Sequence, residues 1–118
     1  MVEQSDSPQG LVLHGFGPDG GHVAAVFRSA GNAANALPGA AIEIVIQGAA
    51  VTSLVAGGEL SGPVAEVLER GIAVLACENS MRSATVDRAS LLPGVGTVPS
   101  AVAHLAARQW ENWAYVRL

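Results

Sequence analysis

The sequence predicts an α/β protein in which a parallel sheet lies between helical layers, and three observations carry that reading. The short apolar runs "GLVLHG", "AIEIVIQG" and "GIAVLAC" are rich in Val, Ile and Leu, as strands buried on both faces are. Between them stand segments whose apolar residues recur at helical spacing, so strands and helices alternate along the chain. Half of the residues are hydrophobic while 4% are aromatic and 14% charged, a balance that suits helices packed closely on a buried sheet.

Each element has its own local reason. Residues 1–8, "MVEQSDSP", are polar and aperiodic and are expected to form a flexible lead-in to a single domain over 9–118, a length at which one core buries most of its apolar surface. "GLVLHG" is the first strand. In "GGHVAAVFRSAGNAANALPG", Val23, Val26, Phe27, Ala30 and Ala34 recur at helical spacing and Pro38-Gly39 ends the pattern. The strand "AIEIVIQG" completes a βαβ unit. "AAVTSLVAGGE" is too apolar for an exposed loop and predicts a short packed helix.

"LSGPVAEVLERG" offers Ser61 as N-cap, Pro63 in the first turn and Gly71 as the stop. Its Val64, Val67 and Leu68 share one face, and Glu66, Glu69 and Arg70 turn to water. The third strand ends at Cys77, with a short helical piece after it. "TVDRASLLPG" predicts a loop with one helical turn around Arg88 to Leu92, "VGTVPS" a brief fourth strand, "SAVAHLAARQWENW" a last amphipathic helix and "AYVRL" a closing strand.

Composition removes several functional classes. Six arginines and no lysine stand against ten acidic residues, for a net charge of -4 without a basic cluster, so no direct nucleic-acid partner is expected. The N-terminus lacks the basic-then-apolar pattern of a signal peptide, and no run approaches the ~20 apolar residues that span a bilayer. A soluble cytoplasmic protein without a membrane partner is the expectation. One cysteine makes no internal disulfide, and with His14, His22 and His104 it lacks the short spacings of a structural zinc site. Neither metal nor cofactor is expected.

Two stretches carry candidate chemistry. In "HGFGPDGG", Gly15, Gly17 and Gly20 have the G-x-G-x-x-G spacing between a strand and a helix, the context of a dinucleotide fingerprint. However, Gln47 ends the second strand where an acidic residue would hold a ribose, and Pro18 removes a backbone N–H. A plain glycine-rich turn is the better reading.

The second stretch is Cys77-Glu78-Asn79-Ser80. Ligands of doubly wound sheets gather at the carboxyl ends of strands, and a 2-1-3 strand order would bring Cys77 and His14 to one crevice. Gly15, Gln47 and Gly48 lie at the ends of the neighbouring strands. Amides at the start of the following helix, and Arg82 if it folds back, favour a thiolate, while Glu78 opposes it. As C-x-x-S the segment resembles a redox motif with one thiol, and serine cannot resolve a mixed disulfide, so sulfur chemistry here ends on another molecule. Cysteine as a small buried hydrophobe is the competing reading.

The remaining candidates are weaker. His14 is either a base or ligand-orienting group in the crevice or a strand-end histidine bonded to backbone. His22 reads as a surface residue. His104 and Arg108 are placed on a solvated face of the last helix, opposite Val102, Leu105 and Trp113. Trp110, Trp113 and Tyr115 concentrate the chain's aromatics near its end, where a tryptophan is expected in a subunit contact.

The run "ERGIAVLACENSMRS…LLPGVGTVPSAVAHLAARQWENWAYVRL" resembles the C-terminal half of DsrE/DsrF-like proteins with the YchN-like fold. In these a glycine-led strand ends in cysteine before a polar stretch with Asn, then come an L-P-G-V turn, a V-P-S/A strand end, a helix and an aromatic terminal strand. The first half is similar through its strand ending in His and the segment Q-G-A-A-V. Ala101 and Asn112 stand where relatives often have glycine. The resemblance implies a three-layer α/β/α sandwich with a five-stranded, mostly parallel sheet, ordered 2-1-3-4-5 if doubly wound, and assembly as homotrimers or hexamers. It also implies a persulfide carried on Cys77, with protein partners as sulfur donor or acceptor. The alternative is a module of the same fold that binds a small anion or nucleotide, or serves assembly, with Cys77 as filling.

Overall fold

In the computed structural model, which describes residues 9–118, five strands pair in parallel into one sheet: β1 (Gly10–Phe16), β2 (Ala41–Gln47), β3 (Ala73–Cys77), β4 (Gly96–Val98) and β5 (Ala114–Arg117). The lead-in expected over 1–8 lies outside the described residues. Four α-helices connect them: α1 (Gly20–Ala36), α2 (Ser61–Glu69), α3 (Glu78–Ala84) and α4 (Ala101–Trp110). The apolar segment after β2 forms a 3-10 helix over Gly48–Leu54, and a single 3-10 turn covers Arg88–Ser90. Among the described residues no helix is long and apolar enough to cross a membrane.

The strand order is β4-β3-β2-β1-β5, which corrects the expected 2-1-3-4-5. Central and edge positions follow apolar content. Five consecutive residues of β2 are buried, so that strand needs a neighbour on each side and cover on both faces. The short β4 and the wholly exposed β5 are suited to edges. The sheet grows in one direction from β1 to β4, and the connection through α4 returns the chain to the free side of β1. As a result β2 lies between His14 and Cys77.

Side chains alternate across the sheet and build two unequal cores. Leu11, Leu13, Ile42, Ile44, Ile46 and Val74 face a large cluster that includes Val23, Val26 and Phe27 of α1, Val64 of α2 and Met81 of α3. On the other face Val12, Val45 and Cys77 meet Ala101 and Leu105 of α4. There α4 is the sole helical cover among the described residues.

Local chemistry sets the helix ends. Asp19 caps α1 and accepts a hydrogen bond from the His22 amide at 3.1 Å. Its carboxylate occupies the place a pyrophosphate would need, and Gly17 is glycine because the His22 ring lies against it. The G-x-G-x-x-G spacing therefore serves a packed turn. Helix α2 begins at Ser61 with Leu60 in the cap position, so Ser61 is not its N-cap; the hydroxyl donates instead to the Gly58 carbonyl at 3.2 Å. Gly71 follows α2 at φ +81°, a conformation glycine adopts without strain. Ser100 caps α4 by accepting from the Ala103 amide.

Helix α4 is rotated relative to the expectation. His104 and Arg108 point inward onto Glu43 of β2, whereas Val102 is 66% exposed. Glu43 is only 9% exposed, and a carboxylate so placed requires partners. His104 Nε2 lies 2.7 Å and Arg108 Nε 3.0 Å from its Oε1, and Arg108 also bonds Oε2. The same guanidinium bonds Glu111 and stacks 4.3 Å over Trp113.

Candidate functional site

Cys77 is the last residue of β3 and immediately precedes α3, at the carboxyl end of the sheet where αβ proteins form their clefts. A cleft of about 390 Å³ opens there, lined by the ends of β2 and β3 and the first turns of α3 and α4. The residue is 2% exposed, so its sulfur forms part of the cleft wall rather than projecting from it. The Ala101 amide, first in α4, donates to Sγ at 3.4 Å. Burial pushes the thiol's pKa up, but the neighbouring Ser80 hydroxyl and the amides of Ser80, Ala101 and Asn79 together bring it below its ordinary value. The sulfur thus lies at the starts of two helices, α3 and α4, and takes its hydrogen bond from α4.

Ser80 is held in turn. Its Oγ accepts from the Gly48 amide at 2.8 Å, tying α3 to the turn after β2. Gly48 has φ +82°, and a Cβ there would stand 2.7 Å from the Phe16 ring. A side chain at this position is disfavoured on both counts.

The other sequence-derived candidates divide into two groups. Gln47, Gly48, Asn79 and Ser80 line the cleft with Cys77. His14 does not reach it: its Nε2 lies 2.7 Å from Gln47 Oε1, and its Nδ1 2.7 Å from the Tyr115 hydroxyl. The expected meeting of His14 with Cys77 is replaced by a contact one strand away, through Gln47. Gly15 faces the opposite side of the sheet, where a Cβ would be 2.9 Å from Ile46 Cδ1. Arg82 does not fold back on the sulfur; it bonds Asn79 Oδ1. Glu78 turns toward β4, accepting from Thr97 at 2.6 Å and from Arg88, so its charge is engaged away from the thiol. Those bonds, Thr97 first, hold its carboxyl below the ordinary range against a smaller effect of burial.

Three contributors escaped the sequence reading. Ala101 reaches the sulfur, 24 residues after Cys77, and Ser100 the cleft, only because α4 crosses the sheet. Tyr115 meets His14 across 101 residues. The Glu43 cluster that seats α4 joins residues 61 and 65 apart. No local spacing encodes these pairs. Among the described residues no group of three or more His, Cys, Asp or Glu side chains is placed to hold a metal ion.

Comparison with solved structures places this geometry among known proteins. The chain superposes on MTH1491 from Methanobacterium thermoautotrophicum, a protein of unknown function, with a TM-score of 0.86 and 34% identity, over 93% of this chain and 99% of that one. It superposes on YchN from E. coli with a TM-score of 0.76 and 17% identity, again over 93% and 99%, a likeness that shows the YchN-like fold alone. No family model and no curated protein matches the chain.

Proposed function

The chain belongs to the family of MTH1491 and has the YchN-like fold, and from that premise we propose that it is a small cytoplasmic, homo-oligomeric sulfur carrier that holds sulfane sulfur as a persulfide on Cys77. The observation that carries the reading is the place of Sγ in a cleft wall at the starts of two helices, where the Ala101 amide donates to it and the surrounding polar groups hold the thiol below its ordinary pKa, which favours the nucleophilic thiolate. The DsrE/DsrF-like pattern from Gly71 to Leu118 adds support.

In this reading the Cys77 thiolate attacks the outer sulfur of a donor persulfide. A Cys77 S–S bond forms, the donor's S–S bond breaks, and the donor leaves as a thiolate with the electron pair. The outer sulfur keeps its proton, and no net oxidation occurs. An acceptor thiolate then attacks that outer sulfur and regenerates the Cys77 thiolate. With Ser80 where C-x-x-C proteins have a second thiol, transfer ends on another molecule.

Intact-protein mass spectrometry after exposure to polysulfide tests the proposal. Wild type should gain sulfur and lose it to an added thiol acceptor, and Cys77→Ser should gain none. Folded wild type that gains none refutes the carrier reading. The burial of Sγ favours a second reading, in which the cleft binds a small anion or nucleotide and Cys77 is filling. A rise in Tm with such ligands that persists in Cys77→Ser would support it.

A further inference from the structure

Two side-chain amides line the cleft beside Cys77, and both have their oxygen engaged elsewhere. Gln47 Oε1 lies 2.7 Å from His14 Nε2, and Asn79 Oδ1 accepts from Arg82. A carbonyl oxygen only accepts, so His14 Nε2 carries a proton. Burial foremost, with the nearby Arg117 charge, holds the imidazole pKa below its ordinary value against the opposing bond to Gln47. The ring is therefore neutral near pH 7, its Nδ1 is an acceptor, and the Tyr115 hydroxyl donates to it across 2.7 Å. The chain of bonds runs in one direction, from Tyr115 through His14 to Gln47.

What remains on each amide is an NH₂ group. Neither has a protein acceptor among the described residues, and no charged side chain lines the cleft. Ser100 is similar: its oxygen accepts from the Ala103 amide while its O–H can still donate. The cleft is a neutral, donor-rich surface with a sulfur in its wall, suited to a ligand whose surface is all acceptor.

We propose that Tyr115 and His14 hold the Gln47 amide nitrogen as a donor over the cleft, and that the cleft takes a small sulfur oxoanion, its oxygens on Gln47 and Asn79 and its outer sulfur toward Cys77. Thiosulfate is the simplest anion that carries sulfane sulfur in this form. The assignment rests on the sulfur-carrier reading and names a donor class for it. The Cys77 thiolate attacks the outer sulfur, the thiosulfate S–S bond breaks, sulfite leaves with the electron pair, and an anionic persulfide stays on Cys77. Gln47 and Asn79 contact the substrate, while His14 and Tyr115 are positioning residues.

Two measurements test the proposal. Ring ¹⁵N shifts of His14 should report the Nε2–H tautomer, and in Tyr115→Phe, at an exposed edge strand, that preference should relax. An Nδ1–H ring in the wild type means that the bonds run the other way and Gln47 presents its oxygen, which overturns the proposal. Thiosulfate titrated into Cys77→Ser by NMR should shift the Gly48, Ser80 and Ala101 amides saturably, and Gln47→Leu in that background should weaken binding about tenfold. Binding unchanged by Gln47→Leu, or absent, overturns the proposal. If wild type still charges from polysulfide, that failure leaves the carrier reading intact. Gln47-dependent binding without charging of wild type by thiosulfate overturns the transfer step.

Discussion

Ser80→Ala isolates one of the interactions that sets the state of the candidate nucleophile. The substitution deletes the hydroxyl that does most to lower the Cys77 thiol and leaves the backbone amides of Ser80, Asn79 and Ala101 in place. A hydrogen bond from that hydroxyl to the charged sulfur contributes about 1.5–3 kcal/mol, so on the acid side of the thiol's titration the thiolate fraction falls roughly 13- to 160-fold. The thiolate that remains is a better nucleophile, because reactivity rises with basicity at a Brønsted slope of about 0.4–0.5. Combining the two, the rate with neutral 2-hydroxyethyl disulfide should fall roughly 4- to 15-fold at acid pH and rise roughly 3- to 10-fold on the alkaline plateau. The two pH–rate profiles must then cross. Ser80→Thr, which keeps the hydroxyl, should follow the wild type. Profiles offset by one constant factor at every pH would mean that the substitution changes access to the sulfur, and the reasoning would be refuted. The variant should also lose about 1–3 kcal/mol by urea denaturation, since the Gly48 amide loses its acceptor.

Other perturbations test the frame around the site. Arg108→Met leaves the Glu43 carboxylate with His104 alone and should cost about 3 kcal/mol in chemical denaturation. Burial raises the Glu43 pKa, but the bonds from Arg108 and His104 more than offset it and leave the carboxyl below its ordinary 4.5. Its stabilisation is therefore present above that value and lost as pH falls through the depressed native one. The gap in urea midpoint between wild type and Glu43→Gln should be flat above about pH 5 and close below it; a gap unchanged at about pH 3 would contradict the assignment. His14, with its pKa lowered chiefly by burial, should make wild type lose stability as pH falls through and below its ordinary 6.5, because the unfolded imidazole protonates first. His14→Phe should lose less over the same range, and equal slopes would count against a buried neutral ring. Gly48→Ala combines a φ of +82° with a Cβ 2.7 Å from Phe16 and should cost about 1–3 kcal/mol, with stability near wild type as the contrary result.

The α/β alternation, the three long strands, the helices opening near Gly20 and Ala101 and the stop at Gly71 were all legible in the sequence, because each rests on patterns a few residues long. Apolar runs report burial on two faces, helical spacing reports one buried stripe, and Asp, Ser, Gly and Pro act on the backbone beside them. Position alone also placed Cys77 at a strand end before a helix. Ser61 as a cap was misread because Leu60 begins the turn, a choice made by packing against the core.

The tertiary structure decided which strands are neighbours and what each polar side chain touches. Strand order depends on the burial of whole strands against helices from distant segments, so β2 rather than Cys77 lies beside His14. The rotation of α4 follows from Glu43, whose buried charge outweighs the exposure of Val102 and draws His104 and Arg108 inward. The donor character of the cleft likewise depends on Tyr115, His14 and Gln47 meeting across 101 and 33 residues. The sequence by itself determined the elements and the place of the sulfur, since local dihedral and hydrophobic preferences suffice for those; the chemistry around the sulfur was decided by burial, which forces distant polar groups to find partners once the sheet has formed.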